Sequence, residues 1–567
     1  MPLIYRFSRF VFSLFLLFFL PLESSGQTSW SKSYEHAVVV TAEEQASQVG
    51  SKILQQGGNA VDAAIAVQFA LAVTLPRAGN IGGGGFMVLH LSDGTNVALD
   101  FREQAPLEAD ADMYLREGEY VPKLSRTGGL ASGVPGVVDG MVNAHRKYGS
   151  LPFKELVEPA IELAQQGYRL SYKQAQYLNH YAKQFRNYRG STNYFIPEHN
   201  EDWQEGELFQ QADLARTLQR IADHGRAGFY EGTTADLLVR EIQQQGGIMS
   251  HKDLKNYKSV WRNPVKASFM GYDLFIMPPP SSGSIAIAQI LEMLKSYELR
   301  EMGFNSAAYI HLVTETMRRA FADRAHFLGD PDFVDIPQRK LLAPSYNERR
   351  METFNPEKAS ASDQINQGDI PFPESSETTH YSIIDQKGNA VAVTTTLNGS
   401  FGSKVAVSGA GFFLNNEMDD FTAEPGEPNM FGLIQGKANA IEPAKRMLSS
   451  MSPTIVTKND STRMVLGAAG GPRIITATLH NFLNRAVFNM EPGQAVSAPR
   501  FHHQWMPDTL YYEQFGLSAD TKKQLKKRGH ALGSSDNLGR AHTIFIDEAG
   551  LKYGAADPRS DGAAAGF

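Results

Sequence analysis

At 567 residues the chain exceeds what one ordinary hydrophobic core holds, so several domains or one large layered fold are expected. With 42% hydrophobic and 20% charged residues it has a globular make-up, and a net charge of −7 without any basic concentration argues against nucleic acid or an anionic membrane surface as partner. The absence of cysteine excludes a thiolate nucleophile, a zinc–thiolate centre and disulfide staples, so stability must come from a large buried core.

Arg6 and Arg9 precede an apolar run from Phe10 to Leu22, too short to span a bilayer, which takes about 20 residues. Small and polar residues follow, Glu23 to Gly26. This pattern predicts a secretory signal over residues 1–26 and an exported protein, periplasmic or secreted. Val38–Val40 opens the folded part. Ala42 to Leu75 has helical spacing broken at Gly57-Gly58-Asn59, which predicts one helix ending and a second, apolar all round and therefore buried, starting at Asn59. Gly82–Gly85 lacks both the lysine and the spacing of a phosphate loop and reads as close backbone packing. The following residues predict two strands joined at Ser92-Asp93-Gly94. From Tyr114 to Phe354 the pattern is mostly helical. Residues 355–377, rich in Ser, Pro, Glu and Asp, read as an exposed, mobile segment.

Two strand patterns then flank the turn Gln386-Lys387-Gly388, predicting a hairpin over Thr379–Asp385 and Asn389–Asn398. Centred on Lys387, it sets Thr378 opposite Thr396. Ala390 and Ala392 lie on one face of the second strand and Val391 and Val393 on the other, so this hairpin should be covered on both sides. A backbone break before Thr378 or Thr379 would leave a threonine leading a rigid buried strand. Its hydroxyl needs a base, and its own new α-amino group, with a pKa of about 7.7–8.0, can supply one. An ordinary loop entering an ordinary strand would account for the hairpin alone.

Other residues suit acyl transfer. Gly470-Gly471 could present backbone N–H groups to an oxyanion. Arg102, after the strand pattern "VALDF", could grip a carboxylate, as could the hydroxyls of Ser449 and Ser450. Glu417, Asp419 and Asp420 in "NNEMDDF" could hold an ammonium; they fit no metal loop, and His502-His503 reads as structural. No metal or cofactor is expected. Asn398-Gly399-Ser400 and Asn459-Asp460-Ser461 are glycosylation sequons, the first at the end of a buried strand, where modification is disfavoured.

The segments "GGNAVDAAIA", "GNIGGGGFM", "DFRE", "SGVPG", "PPPSSG", "TTHYSIID", "TTTLN", "LNNEMDDF", "KRMLSSMSPTI", "GAAGGPRII" and "APRFHHQW", in this order from His36 onward, resemble the γ-glutamyltransferase (γ-glutamyltranspeptidase, glutathione hydrolase) family. The resemblance implies an α/β N-terminal-nucleophile hydrolase fold, an αββα sandwich. It implies a zymogen cut autocatalytically between Glu377 and Thr378 into a large subunit (27–377) and a small one (378–567) that stay together. Thr378 would be the nucleophile and Thr396 its hydrogen-bonding neighbour. Gly470 and Gly471 would form the oxyanion hole. Arg102, Ser449 and Ser450 would hold the glutamyl α-carboxylate, and Asn398, Glu417 and Asp420 its α-ammonium. Glutathione and other γ-glutamyl compounds would be donors, with water, an amino acid or a dipeptide accepting. Glu417 stands where many bacterial members have glutamine. Phe431 stands where a tyrosine often reaches the asparagine matching Asn398, so a more mobile lid is expected here. Met447 replaces a common proline. A β-lactam acylase, a poly-γ-glutamate depolymerase and a non-catalytic exported scaffold are the rival readings.

Overall fold

The computed structural model describes residues 31–198, 202–365, 378–422, 429–433 and 435–567. The expected signal segment and Glu377 lie outside these residues.

Two antiparallel sheets stack on one another. Among the described residues the first runs, in spatial order, Ala563–Gly566, Val38–Thr41, Thr379–Ile384, Ala390–Thr396, Gly84–His90, Asn96–Asp100 and Val260–Arg262. The second runs Ser31–Tyr34, Lys552–Ala556, Arg540–Ile546, Ser461–Leu466, Thr454–Lys458, Tyr272–Ile276 and Val265–Phe269, with Ala468–Ala469 also beside Arg540–Ile546. The hairpin register is the one the turn chemistry predicts, with Thr379 opposite Thr395 and Ile384 opposite Ala390. Alternation along these strands separates two cores. Tyr381, Ile383, Val391 and Val393 face the helices Glu44–Gln55 and Ala60–Thr74. Ile384, Ala390 and Ala392 face the other sheet, whose far side carries the helices Gly283–Leu294, Ala307–Phe327 and Arg473–Ala486. The result is the expected αββα order.

Local chemistry starts and stops the elements as read. Asn59 accepts from the amides of Val61 (2.8 Å) and Asp62 (3.0 Å), while Asp62 accepts from the Asn59 amide (2.9 Å), a reciprocal cap that opens a helix whose every residue is buried. The glycine run is a matter of clearance: a Cβ on Gly83 would lie 2.1 Å from the Thr396 carbonyl oxygen, so bare backbone lets Gly84–His90 lie against the hairpin.

Two departures have physical reasons. Within the segment expected to be mostly helical, Val260–Arg262, Val265–Phe269 and Tyr272–Ile276 are strands, the last two turning at Met270-Gly271 with both φ positive. Val260–Arg262 and Val265–Phe269 are edge strands and Tyr272–Ile276 lies next to one, and their half-exposed positions give them too polar a sequence to stand out. Ser31–Tyr34 pairs with Lys552–Ala556, a long-range partner invisible in a local pattern. In the described part of the segment expected to be exposed, residues 355–358, Asp363 and Gln364 are exposed, while Ser362 and Ile365 anchor it. Ser362 is buried, its amide donates to Asp508 (2.8 Å), its carbonyl accepts from Trp505 Nε1 (2.9 Å), and the Ser360 amide donates to Glu315 (3.2 Å). Polar residues that would suit solvent satisfy a buried ion network instead. Among the described residues no helix is long and apolar enough to cross a membrane.

Candidate active site

The hairpin ends at a small cavity of about 20 Å³. Thr378 leads the Thr379–Ile384 strand into it and is 6% exposed. Its Oγ lies 3.5 Å from Thr396 Oγ on the neighbouring strand, which in turn accepts from the Asn398 amide at 2.7 Å. Asn398 has a positive φ, which turns the chain out of the strand, donates from Nδ2 to the Asn416 carbonyl at 3.0 Å, and lines the cavity.

Opposite, the segment after Ala468–Ala469 reverses at Gly470 (φ +139°) and Gly471 (φ +56°) before the Arg473–Ala486 helix. Positive φ at two successive residues favours glycine, and the Phe431 ring lies where a Cβ on Gly471 would come within 2.9 Å. Gly471 lines the cavity; Gly470 lies one residue behind the lining.

The charged wall is unbalanced. Arg102 Nη1 lies 2.6 Å from Glu417 Oε2, Nη2 lies 2.5 Å from Asp420 Oδ2, and Glu103 Oε2 is 3.6 Å from Nη1. Three buried carboxylates thus surround one guanidinium. Burial pulls the Arg102 pKa down, but Glu417, Asp420 and Glu103 together hold it above its ordinary value. Burial pushes Glu103 up to about 8 and Asp420 to about 6, against the pull of Arg102, and holds Glu417 well above the carboxylate range. One guanidinium cannot keep three carboxylates ionised in so dry a site.

Ser449 and Ser450 close the remaining side, carried by the extended stretch before Thr454–Lys458 and bridged in parallel to Ser281. The fold therefore brings Thr378, Thr396, Asn398, Gly471, Arg102, Glu417, Asp420, Ser449 and Ser450 around one space. Asp419 does not join them: it is turned away, accepting from Ser125 Oγ (2.5 Å) and the Met430 amide (2.8 Å). His502 and His503 are buried and bonded within the small C-terminal part, to Thr476 (2.9 Å) and Gln504 (2.9 Å) and to Asp508 (3.2 Å) respectively.

Phe431, from the segment read as a lid, covers the cavity together with Leu433, which the sequence did not single out. The covering segment lacks a tyrosine hydroxyl but is tied elsewhere: Asn429 Nδ2 donates to Asp420 (3.2 Å), and Gln504 Nε2 to the carbonyls of Phe431 and Gly432 (3.3 Å each). The expected loss of one latch is thus met by several other bonds. Arg324 lines the wall from the Ala307–Phe327 helix. Its signal was available: arginines at 318, 319 and 324 sit on a helix buried on all sides, where unpaired cations are costly.

A family model described as gamma-glutamyltranspeptidase matches residues 46–567. The chain belongs to the γ-glutamyltranspeptidase family. Its similarity to named members spans nearly its whole length: the glutathione hydrolase proenzyme of Pseudomonas sp. (strain A14) is 47% identical over 544 residues, with 94% of each chain covered. That of Escherichia coli (strain K12) is 44% identical over 536 residues, covering 94% of this chain and 92% of the other. Among solved structures, the cephalosporin acylase from Bacillus halodurans superposes with a TM-score of 0.84 at 26% identity, covering 95% of this chain and 97% of that one. The γ-glutamyltranspeptidase family chain thus has the N-terminal-nucleophile hydrolase fold, and it is an enzyme.

Proposed function

We propose that this enzyme cleaves the γ-glutamyl amide of glutathione and related compounds through a γ-glutamyl-threonine ester and passes the group to water, an amino acid or a dipeptide. The observation that supports it most is the placement of Thr378, heading a central strand 3.5 Å from Thr396 Oγ, beside a cavity whose wall carries both acids and arginines.

Maturation starts with Thr378 Oγ attacking the Glu377 carbonyl carbon. The peptide C–N bond breaks, the nitrogen takes the hydroxyl proton and an ester forms; water then hydrolyses the ester and restores the hydroxyl beside a new α-amine. With a pKa of about 7.7–8.0, that amine accepts the hydroxyl proton when Thr378 attacks the donor's γ-carbonyl. The amides at Gly470 and Gly471 stabilise the oxyanion, each such donor being worth on the order of 10²–10³ in rate. The departing amine takes the proton back, and the acceptor repeats the sequence in reverse. Arg102, Ser449 and Ser450 take the α-carboxylate of the glutamyl group, and Asn398, Glu417 and Asp420 its ammonium. Ligand charges of both signs suit a wall of both signs; an uncharged acyl head would leave it uncompensated. The ammonium would also stabilise the ionised acids crowded around Arg102. Cleavage gives subunits 27–377 and 378–567, and residues 1–26 direct export to the periplasm or beyond.

Thr378→Ala tests the reading: on a denaturing gel the parent shows two fragments, the smaller beginning at Thr378, and the variant one chain without glutathione cleavage. Fully active, uncut parent protein would refute it.

A further inference from the structure

Arg324 is 2% exposed and lines the cavity, yet no step above uses it. Nε donates to Ser282 Oγ (2.9 Å) and Nη2 to Ser450 Oγ (3.3 Å), while Nη1 has no hydrogen-bond partner among the described residues. It also forms no ion pair among them. Burial draws its pKa down to about 10, with Asp420 pulling the other way. Buried charges are ordinarily paired, and an unpaired one on a cavity wall needs an anion to complete it. The other guanidinium on this wall, Arg102, already has Glu417, Asp420 and Glu103 against it, so Arg324 is the one that comes to the ligand without an acidic partner.

The hydroxyls beside Arg324 are arranged to donate. Ser450 Oγ accepts from Arg324, and Ser449 Oγ accepts from the Met451 amide (3.1 Å), so each retains its own proton for a ligand. The "PPPSSG" segment supports both. The Ser282 amide and Oγ donate to the Ser449 carbonyl (2.8 and 2.6 Å), and Ser281 Oγ donates to that of Met451 (2.6 Å). Ser282 thus accepts from Arg324 while bracing Ser449, joining the helix, this segment and both serines into one chain of bonds.

We propose that Arg324 is a specificity-determining residue for the donor: it supplies the unmatched positive charge that selects the α-carboxylate, directly from its guanidinium and through the Ser450 hydroxyl it orients, with Ser282 holding it in place. This rests on the γ-glutamyl reading. A charged hydrogen bond lost from a dry site predicts a 10–100-fold effect.

The test uses self-cleaved parent, Arg324→Gln, Arg324→Lys and Ser282→Ala with γ-glutamyl-p-nitroanilide as donor. Expected are a KM raised 10–100-fold in Arg324→Gln with kcat within about threefold, a smaller rise in Arg324→Lys, which keeps the charge, and a smaller one again in Ser282→Ala. If Arg324→Gln does not self-cleave on a denaturing gel, the lysine variant decides, with a KM raised at least threefold. An unchanged KM, or a kcat that falls alone, overturns the inference. A parent that leaves the donor intact overturns the γ-glutamyl reading itself, so the two failures are told apart.

Discussion

Glu103 shows how one side chain sets the behaviour of the charged wall. Its two carboxyl oxygens have no hydrogen-bond partner among the described residues, and its pKa stands near 8 because burial outweighs the pull of Arg102. A carboxyl whose folded pKa lies above its ordinary 4.5 stabilises the fold most below that value and loses the contribution as pH rises through about 8. Glu103→Gln removes this dependence. The variant's melting temperature relative to the parent's should therefore climb steadily between pH 4.5 and 8; a difference that stays constant across thermal scans at these pH values would show that Glu103 is ionised throughout. Residue type and motif made Glu103 readable as a neighbour of Arg102, but not as a third acid on one guanidinium. That follows from Glu417 and Asp420 arriving from more than 300 positions away in the chain.

At the scale of the element, the hairpin of Thr379–Ile384 and Ala390–Thr396 depends on its turn. Asp385 Oδ1 accepts from the amides of Lys387 (2.9 Å) and Asn389 (3.0 Å), and Oδ2 from Asn389 Nδ2 (2.7 Å) and the Ala60 amide (3.0 Å). One buried carboxylate therefore closes the hairpin and caps the helix beneath it. Asp385→Ala should cost about 1–3 kcal/mol, since the buried Ala60 amide and the half-buried turn donors lose their acceptor. Chemical denaturation of uncut protein measures this, and a cost below about 1 kcal/mol would mean that water replaces the carboxylate. The turn and the register were legible because Gln386-Lys387-Gly388 sits between alternating strands. The Ala60 contact was not, for it joins elements whose adjacency only the sheet order creates. The same limit hid the strands at and next to the sheet edges from Val260 to Ile276, whose half-exposed sequence carries little periodic signal.

In the whole molecule, the strands on either side of residue 378 interleave. In the first sheet, Val38–Thr41 lies between Ala563–Gly566 and Thr379–Ile384, and Gly84–His90 flanks Ala390–Thr396. In the second, Tyr272–Ile276 pairs with Thr454–Lys458. A cut before Thr378 thus leaves two chains sharing both sheets, which is why the subunits should stay together without a disulfide. A buried network reinforces the join. Arg318 and Arg319 pair with Glu315, and Arg318 also with Asp508 and Ser362. Asp508 is held well below the carboxylate range, burial being overcome by His503 and Arg318, so its contribution is present above pH 3.8 and fades as acid titrates it. Asp508→Ala should cost about 1–3 kcal/mol, less than a fully buried pair because Asp508 keeps solvent on one side, and should open residues 355–365 to limited proteolysis. Unaltered cleavage there would mean that Trp505 and Glu315 suffice as anchors.

The sequence by itself determined the hairpin, its two-sided burial, the glycine clearances and the threonine at the strand entrance, because periodicity, turn chemistry and steric clearance act over a few residues. Only the tertiary structure decided the charge balance of the wall, the anchoring of 355–365 and the presence of Arg324. Those depend on desolvation and on contacts between distant segments, which exist once the two sheets have closed on each other.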